Sequence, residues 1–333
     1  MKHLKRALCL LAALCLLCPL AASAKEGLYT AIITRNYPDS TTRVYAQMDK
    51  NSTVLTQLNP GAKLVITAVY PGWVEVQRGN NGVGYILRHR VDNVEPIDPV
   101  NTPHYGVEFN QYYTVISQDT LVYSEKSRTS ETLSALTPGA KVAFVGMEDG
   151  WGKLVYKRQY GYIDTRDLSV LYPVAKNAEL EGSDEMPIAV YMSFFSDNPP
   201  RIHNLAHCCE RLNRVMQPGE SLDFNGQVGP FSLANGFQNA PILVDGKTVM
   251  GPGGGSCQIS STLYNAVLQL PGITVLERHP HGANGATYLP HGTDASSGAL
   301  NFRIQNDYDF PIRIDASLQD LALFMAIYKE ATQ

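Results

Sequence analysis

The chain has 333 residues, of which 44% are apolar and 17% charged, with a formal net charge of −4. That length exceeds what one core supports, so two or three domains are expected. The charge excludes the basic stripe that nucleic acid or an anionic lipid surface would select.

Residues 1–24, MKHLKRALCLLAALCLLCPLAASA, join a basic start to a greasy run and a small-residue ending at Ala22-Ser23-Ala24. This is the pattern of a secretory signal, and the run is shorter than the roughly 20 residues of a comfortable membrane span. The chain is therefore expected to be secreted or extracytoplasmic, with membrane attachment only if this segment stays uncleaved. Neither Cys15 nor Cys18 follows a small residue, so no lipid-modified cysteine is expected. Removing the signal leaves 24 basic and 31 acidic side chains, a net of −7, and three cysteines, Cys208, Cys209 and Cys257. An odd count in an oxidising compartment implies either one free thiol or one bridge with a spare.

The next segment repeats itself. Val44-Tyr45 matches Val122-Tyr123, Pro60-Gly61-Ala62-Lys63 matches Pro138-Gly139-Ala140-Lys141, and Trp73 matches Trp151, all at an offset of 78; one residue is then lost before Gly84-Tyr85-Ile86 meets Gly161-Tyr162-Ile163. Each copy alternates apolar and polar residues over short runs such as KLVITAV and WVEVQR, broken by Pro-Gly and Asn-Gly turns, which predicts a small antiparallel barrel. The order of landmarks resembles the bacterial SH3-like domain, over residues 28–95 and 106–171. That resemblance implies a binder of cell-wall peptide or glycan. The plain alternative is that Trp73, Trp151, Tyr85 and Tyr162 only fill two cores, and that the barrels space or dock other parts. Residues 96–105 and 172–187, rich in Pro, Asp or Glu, read as linkers.

Residues 188–330 predict an α+β domain, so the expected fold is multidomain: two small all-β SH3-like barrels, then this third domain. It opens on a strand, IAVYMSFF, and a loop around Pro199-Pro200. The helix IHNLAHCCERLNRVM follows, with Leu205, Cys208 or Cys209, Leu212 and Val215 on its apolar face and its end before Pro218-Gly219. Cys208 and Cys209 read as small buried hydrophobes, since adjacent cysteines bridge each other only under strain. A second helix, QISSTLYNAVLQL, sets Ile259, Leu263, Ala266, Val267 and Leu270 on one face. Strands ITVLERH, ATYLPHG, LNFRIQN and PIRIDAS are expected after it.

Cys257 falls at or just before the first turn of that second helix. Unpaired amides and aligned peptide dipoles at a helix start favour thiolate over thiol. Gly253, Gly254 and Gly255 allow N–H groups to turn inward as an oxyanion pocket, helped by the Cys257 amide and the Gln258 side chain; equally, a tight turn before a buried helix needs glycine. A base is available downstream. His279 and His281 share a face if they lie on one strand, His291 is another candidate, and Asp294 follows, giving the chain order Cys257, His281, Asp294. The three histidines lack clear zinc spacing, so neither a metal nor a cofactor is expected.

The pieces PGESLDFN, VGP, NGF, GGGSCQISSTLYNAVL, ERHPH and GTDA, in that order, resemble the VanW family over residues 188–316, and the family implies work at the cell wall. Gly253, Gly254, Gly255, Cys257, Gln258, Ser260, Ser261 and Tyr264 fall on its central motif; Glu277, Arg278 and His281 fall on its second, and Asp294 on a third. Gly282, where the family usually has Ser, and Pro271-Gly272-Ile273, where it has Gly-Leu, depart from the pattern. The expected function is cysteine-dependent acyl transfer, by hydrolysis or transpeptidation, on peptidoglycan stem peptides. In that scheme Cys257 attacks, His281 moves the proton, and Asp294 or Glu277 orients the ring. The glycines with Gln258 steady the oxyanion, Arg278 pairs with a substrate carboxylate, Tyr264 lines the substrate site, and Ser260 and Ser261 bond back into the helix or contact the loop. The rival is a non-catalytic peptidoglycan or precursor binder linked to glycopeptide resistance or envelope maintenance. A third reading bridges Cys257 to Cys208 or Cys209.

Overall fold

The computed structural model describes residues 27–36, 40–70, 72–79, 82–98, 102, 110–174, 186–244, 247–281, 286–290 and 292–330. The expected signal segment, the 175–185 part of the second linker, most of the first linker, the 106–109 start of the second repeat, and His291 lie outside them. Among the described residues the protein is mostly β, with several antiparallel sheets and its α-helices confined to the C-terminal region.

The duplication is visible in matched detail. In the first repeat one seven-stranded sheet runs in the order Val54–Leu58, Thr42–Tyr45, Val83–Leu87, Trp73–Gln77, Lys63–Tyr70, Tyr29–Ile33, Val91–Pro96. Its alternating residues bury Ile33, Ile66, Val74 and Ile86 in a cluster drawn from this repeat alone. In the second repeat the same sequence forms two sheets, Thr132–Leu136, Thr120–Tyr123, Gln159–Asp164, Trp151–Tyr156, Gly146–Glu148, and Lys141–Phe144, Tyr112–Val115, Tyr172–Pro173. Tyr45 meets Trp73 edge-on at 5.6 Å, and Tyr123 meets Trp151 edge-on at 5.9 Å. The Pro-Gly turn bonds alike in both copies, Ala62 N–H to Asn59 and Ala140 N–H to Thr137. Tyr172 and Pro173, expected in a linker, instead pair with Tyr113 and Tyr112 and close the second sheet, because that strand otherwise leaves an open edge.

The C-terminal region is built on a sheet of order Pro187–Phe194, Ala322–Lys329, Ile312–Gln319, Arg214–Met216. Its first strand is buried at every position because both faces are covered. Ala189 and Tyr191 face a core shared with α1 (Pro199–Leu212), α2 (Phe224–Val228) and α3 (Ser256–Val267), while Val190, Met192 and Phe194 face the second repeat. The neighbouring strand alternates the same way: Leu323, Met325 and Ile327 point to the helices, and Phe324, Ala326 and Tyr328 to the repeat. The second repeat and the C-terminal sheet thus share one apolar core. A three-stranded sheet, Ser221–Asp223, Arg303–Asn306, Ile273–Glu277, and a hairpin, Asn239–Val244 with Lys247–Pro252, complete the region.

Several expected boundaries move. Pro199 and Pro200 begin α1 rather than a loop, since proline suits the first helical position and the Asn198 side chain caps the Arg201 N–H at 3.0 Å. The helix ends at Leu212, and Val215 lies on a strand paired with Arg313. Of the expected strand ATYLPHG, none of the described residues is a strand. The last strand, Ala322–Lys329, has no counterpart among the sequence-based expectations.

Candidate active site

Helix α3 is buried nearly all round, and its polar residues explain how the site is assembled. The apolar residues Ile259, Leu263 and Ala266 enter the core. The Ser260 and Ser261 hydroxyls donate to the Ala295 carbonyl at 2.7 and 3.1 Å, Ser261 Oγ accepts the Ala295 N–H at 2.9 Å, and Asn265 Nδ2 donates to Thr293 O at 2.6 Å. These bonds clamp the extended segment 293–297 along the helix. That segment carries Asp294 and Ser297 to the end of α3 where Cys257 sits.

The glycines before Cys257 are dictated by packing. Gly255 caps α3 at φ 115°, a left-handed value that favours glycine. A Cβ on Gly254 would lie 2.7 Å from the Pro241 carbonyl oxygen, so the loop passes directly over the hairpin backbone. Asn204, buried on α1, donates to the carbonyls of Gln238 and Gly254 and holds the loop down. The Gly253 N–H is directed to Gln238 O at 3.3 Å, which removes it as an oxyanion donor. The amides of Gly254, Gly255 and Cys257 have no acceptor among the described residues.

His281 and Asp294 form a hydrogen-bonded pair, and His281 lines the same cleft as Cys257. Asp294, whose side chain is 2% exposed, accepts from His281 Nδ1 at 2.5 Å and from the His281 backbone N–H at 2.7 Å. An ionised carboxylate only accepts, so Nδ1 carries the proton and Nε2 is left on the side away from Asp294. The Ser297 N–H and hydroxyl reach the same sulfur at 3.3 and 3.6 Å. Burial disfavours the thiolate, but the hydrogen bond and charge of His281, joined by Ser297, outweigh it and hold the Cys257 thiol below its ordinary value. Burial also opposes the imidazolium, yet Asp294 and the sulfur raise His281 to about 10. Burial pushes Asp294 up and His281 more than reverses it, leaving the carboxyl below the usual range. The cleft onto which Cys257 opens is lined by residues including Phe231, Ser256, His281, Tyr288 and Ser297.

Other expected site residues serve as framework. Gln258 is fully buried: its Nε2 donates to Ser193 Oγ and Phe194 O at 3.0 and 3.1 Å, and its Oε1 accepts from Arg201 at 2.8 Å, so both its protons are engaged and none is left for an oxyanion. Arg278 donates to the backbone carbonyls of Asp294 and Gly292, each at 2.8 Å, and its guanidinium stacks 4.7 Å over Tyr264, which removes it as the partner of a substrate carboxylate. Tyr264 is itself buried against Phe302 and cannot line a substrate site. His279 and His281 do not share a strand, which ends at Glu277, and His279 pairs with Glu277 at 3.0 Å. Cys208 and Cys209 are buried in α1, and all three described cysteines are free thiols, so the bridged reading of Cys257 falls. Burial raises both α1 thiols, Cys209 to about 12. Ser297, Ser193, Asn204 and Arg201 were not read from the sequence as site residues. Ser297 alone carried a signal there, its closeness to Asp294 in the chain.

A family model described as VanW like protein matches residues 200–328. The chain is 31% identical over 232 residues to the uncharacterized protein YoaR of Bacillus subtilis, covering 67% of this chain and 75% of that protein. It is 25% identical over 140 residues to the vancomycin B-type resistance protein VanW of Enterococcus faecalis, covering 39% of this chain and 50% of that one. Among solved structures, NlpC2 from Trichomonas vaginalis aligns at 13% identity over 93% of this chain and 100% of its own with a TM-score of 0.18. A Bacillus cereus NlpC/P60 family protein aligns at 11% identity over 91% and 95% with a TM-score of 0.17. Scores this low carry no argument about fold or activity.

Proposed function

The chain belongs to the VanW family, and on that premise we propose that it is an exported, wall-associated cysteine acyltransferase acting on peptidoglycan stem peptides. The observation that carries the reading is the Asp294–His281 pair sharing one cleft with Cys257, whose thiol His281 holds below its ordinary value. Cys257 attacks a peptide carbonyl, forming an S–C bond, and His281 gives its proton to the departing nitrogen as the C–N bond breaks. Asp294 keeps the ring oriented. Water, in hydrolysis, or an amine, in transpeptidation, then attacks the thioester, His281 takes its proton, and the thiolate is released. The Cys257 amide, with those of Gly254 and Gly255, is the candidate oxyanion hole, since it is aimed from a helix start and unpaired among the described residues.

The choice of wall substrate rests on the family, on the enterococcal relative's being a vancomycin B-type resistance protein, and on the signal-like N-terminus. The two repeats are read as SH3-like barrels on their shared landmarks, residues 28–95 and 106–171, and the first, whose core is its own, is the candidate wall-binding module. Digestion of purified sacculi tests the proposal. Unaltered protein is expected to release or join stem peptides, and the Cys257→Ala variant to do neither while still sedimenting with the wall. Wall sedimentation without products from the unaltered protein would leave a wall binder without chemistry, and equal products from both proteins would remove Cys257 as the nucleophile.

A further inference from the structure

One residue of the second repeat, Lys157, lines the cleft, and it departs from its counterpart in the first repeat. In the first repeat, the turn after Trp73–Gln77 begins with Arg78 and then Gly79, at φ 60°. At the offset of 78 the second repeat has Tyr156 and then Lys157, at φ 56°. The backbone keeps the left-handed value, but the residue that adopts it freely is replaced by one for which it costs about 1–2 kcal/mol. Of the non-glycine residues at positive φ among the described residues, Lys157 is the one that lines the cleft.

The turn is held firmly. Tyr156 and Gln159 pair across it, the Tyr156 ring packs 4.6 Å from Phe194, and the Arg158 guanidinium donates to the Ala286 carbonyl at 3.2 Å. Lys157 thereby joins Cys257 and His281 in lining one cleft. Its ammonium lies 5.1 Å over the Tyr156 ring, and no carboxylate pairs with it among the described residues. The other charged residues of the lining are engaged: Arg201 with Gln258, Asp223 with the Gly226 N–H and Asn301, and His281 with Asp294.

We propose that Lys157, carried into the cleft by the second repeat, selects substrates that present a carboxylate away from the bond attacked by Cys257. The substrate class is a stem peptide with free carboxylates, as opposed to an amidated one; the inference deepens the proposed function and rests on it for the identity of the peptide. Binding tests it without turnover. The probes are the synthetic pentapeptide L-Ala-γ-D-isoglutamyl-L-Lys-D-Ala-D-Ala with its carboxylates free and the same peptide with both amidated, titrated into full-length Cys257→Ala protein. The free form is expected to bind about five- to tenfold more tightly, the effect of one charge-assisted contact. Adding Lys157→Gly, which keeps the turn at no steric cost, or Lys157→Met, is expected to bring the two affinities within about twofold, with the thermal midpoint of the Gly variant unchanged or raised. An unchanged preference in both variants overturns the inference, as does equal or undetectable binding of the two peptides when Lys157 is present. Failure of the unaltered protein to turn over sacculi sinks the acyl-transfer chemistry and leaves this binding ratio to stand or fall by itself.

Discussion

For the proposed acyl transfer, protonation of two residues bounds the pH range in which the chemistry would run. The nucleophilic form requires Cys257 ionised, which is lost as pH falls through its lowered value; His281 must hold a proton to give to the leaving nitrogen, which is lost as pH rises through about 10. A bell-shaped rate follows, and its two limbs belong to the coupled pair and not to either residue alone. Asp294→Asn keeps the shape but trades an acceptor for an amide, frees the wrong ring nitrogen, and removes the charge that raises His281. Its kcat on a cleaved stem peptide is expected to fall by about 10²–10⁴, with the alkaline limb moved to lower pH and KM little changed. A larger effect on KM than on kcat would assign Asp294 to binding. At this scale the sequence was informative about the three residues proposed to react and misleading about their neighbours. Cys257, His281 and Asp294 were found from residue type and order. Gln258, Arg278 and Tyr264 belong to the same motifs, yet they are held by backbone carbonyls and core contacts that only tertiary structure supplies.

Elements meet at one crowded point, where the glycine loop crosses the hairpin and starts α3. Gly254→Ala forces a methyl within 2.7 Å of a backbone oxygen that has no rotamer to yield. The variant is expected to lose about 1–3 kcal/mol in denaturant unfolding and, because the same loop carries the free amides, most of its thiol-dependent activity. A variant of unaltered stability would show that the loop has slack. The start of α3 was legible because apolar residues recur on one face and glycine precedes the thiol. The end of α1 was not. Leu212 and Val215 continue a helical spacing, but Asn213 bonds the Ala316 backbone through both its amide ends and turns the chain into the sheet. A long-range bond of this kind leaves no periodic trace. Likewise ATYLPHG, 286–292, reads as strand by composition, yet none of its described residues is one, and the chain just after it, at Thr293 and Ala295, is held along α3 by Ser260, Ser261 and Asn265.

For the whole molecule, shared cores decide which parts unfold together. The first repeat buries its own residues, whereas the second repeat and the C-terminal sheet bury Phe144, Phe194 and Phe324 in common. Calorimetry is expected to resolve two transitions, with Phe324→Ala lowering only the one assigned to residues 110–330, by about 3–5 kcal/mol. A single transition, or one that assigns the second repeat to the first, would contradict this division. The uninterrupted apolar run IAVYMSFF already carried the signal, since a strand with one wet face alternates; what covered its second face could not be read, because the docking residues of the repeat look like ordinary barrel core.

The account depends most on Cys257 being an anion held by His281. The rate of its alkylation by iodoacetamide, followed across pH by mass spectrometry of the Cys257 peptide in the unaltered protein and in His281→Ala, measures that directly. The predicted result is a midpoint below the ordinary thiol value of about 8.5 that moves upward when the ring is removed. A midpoint at or above that value, indifferent to the loss of His281, would contradict the account.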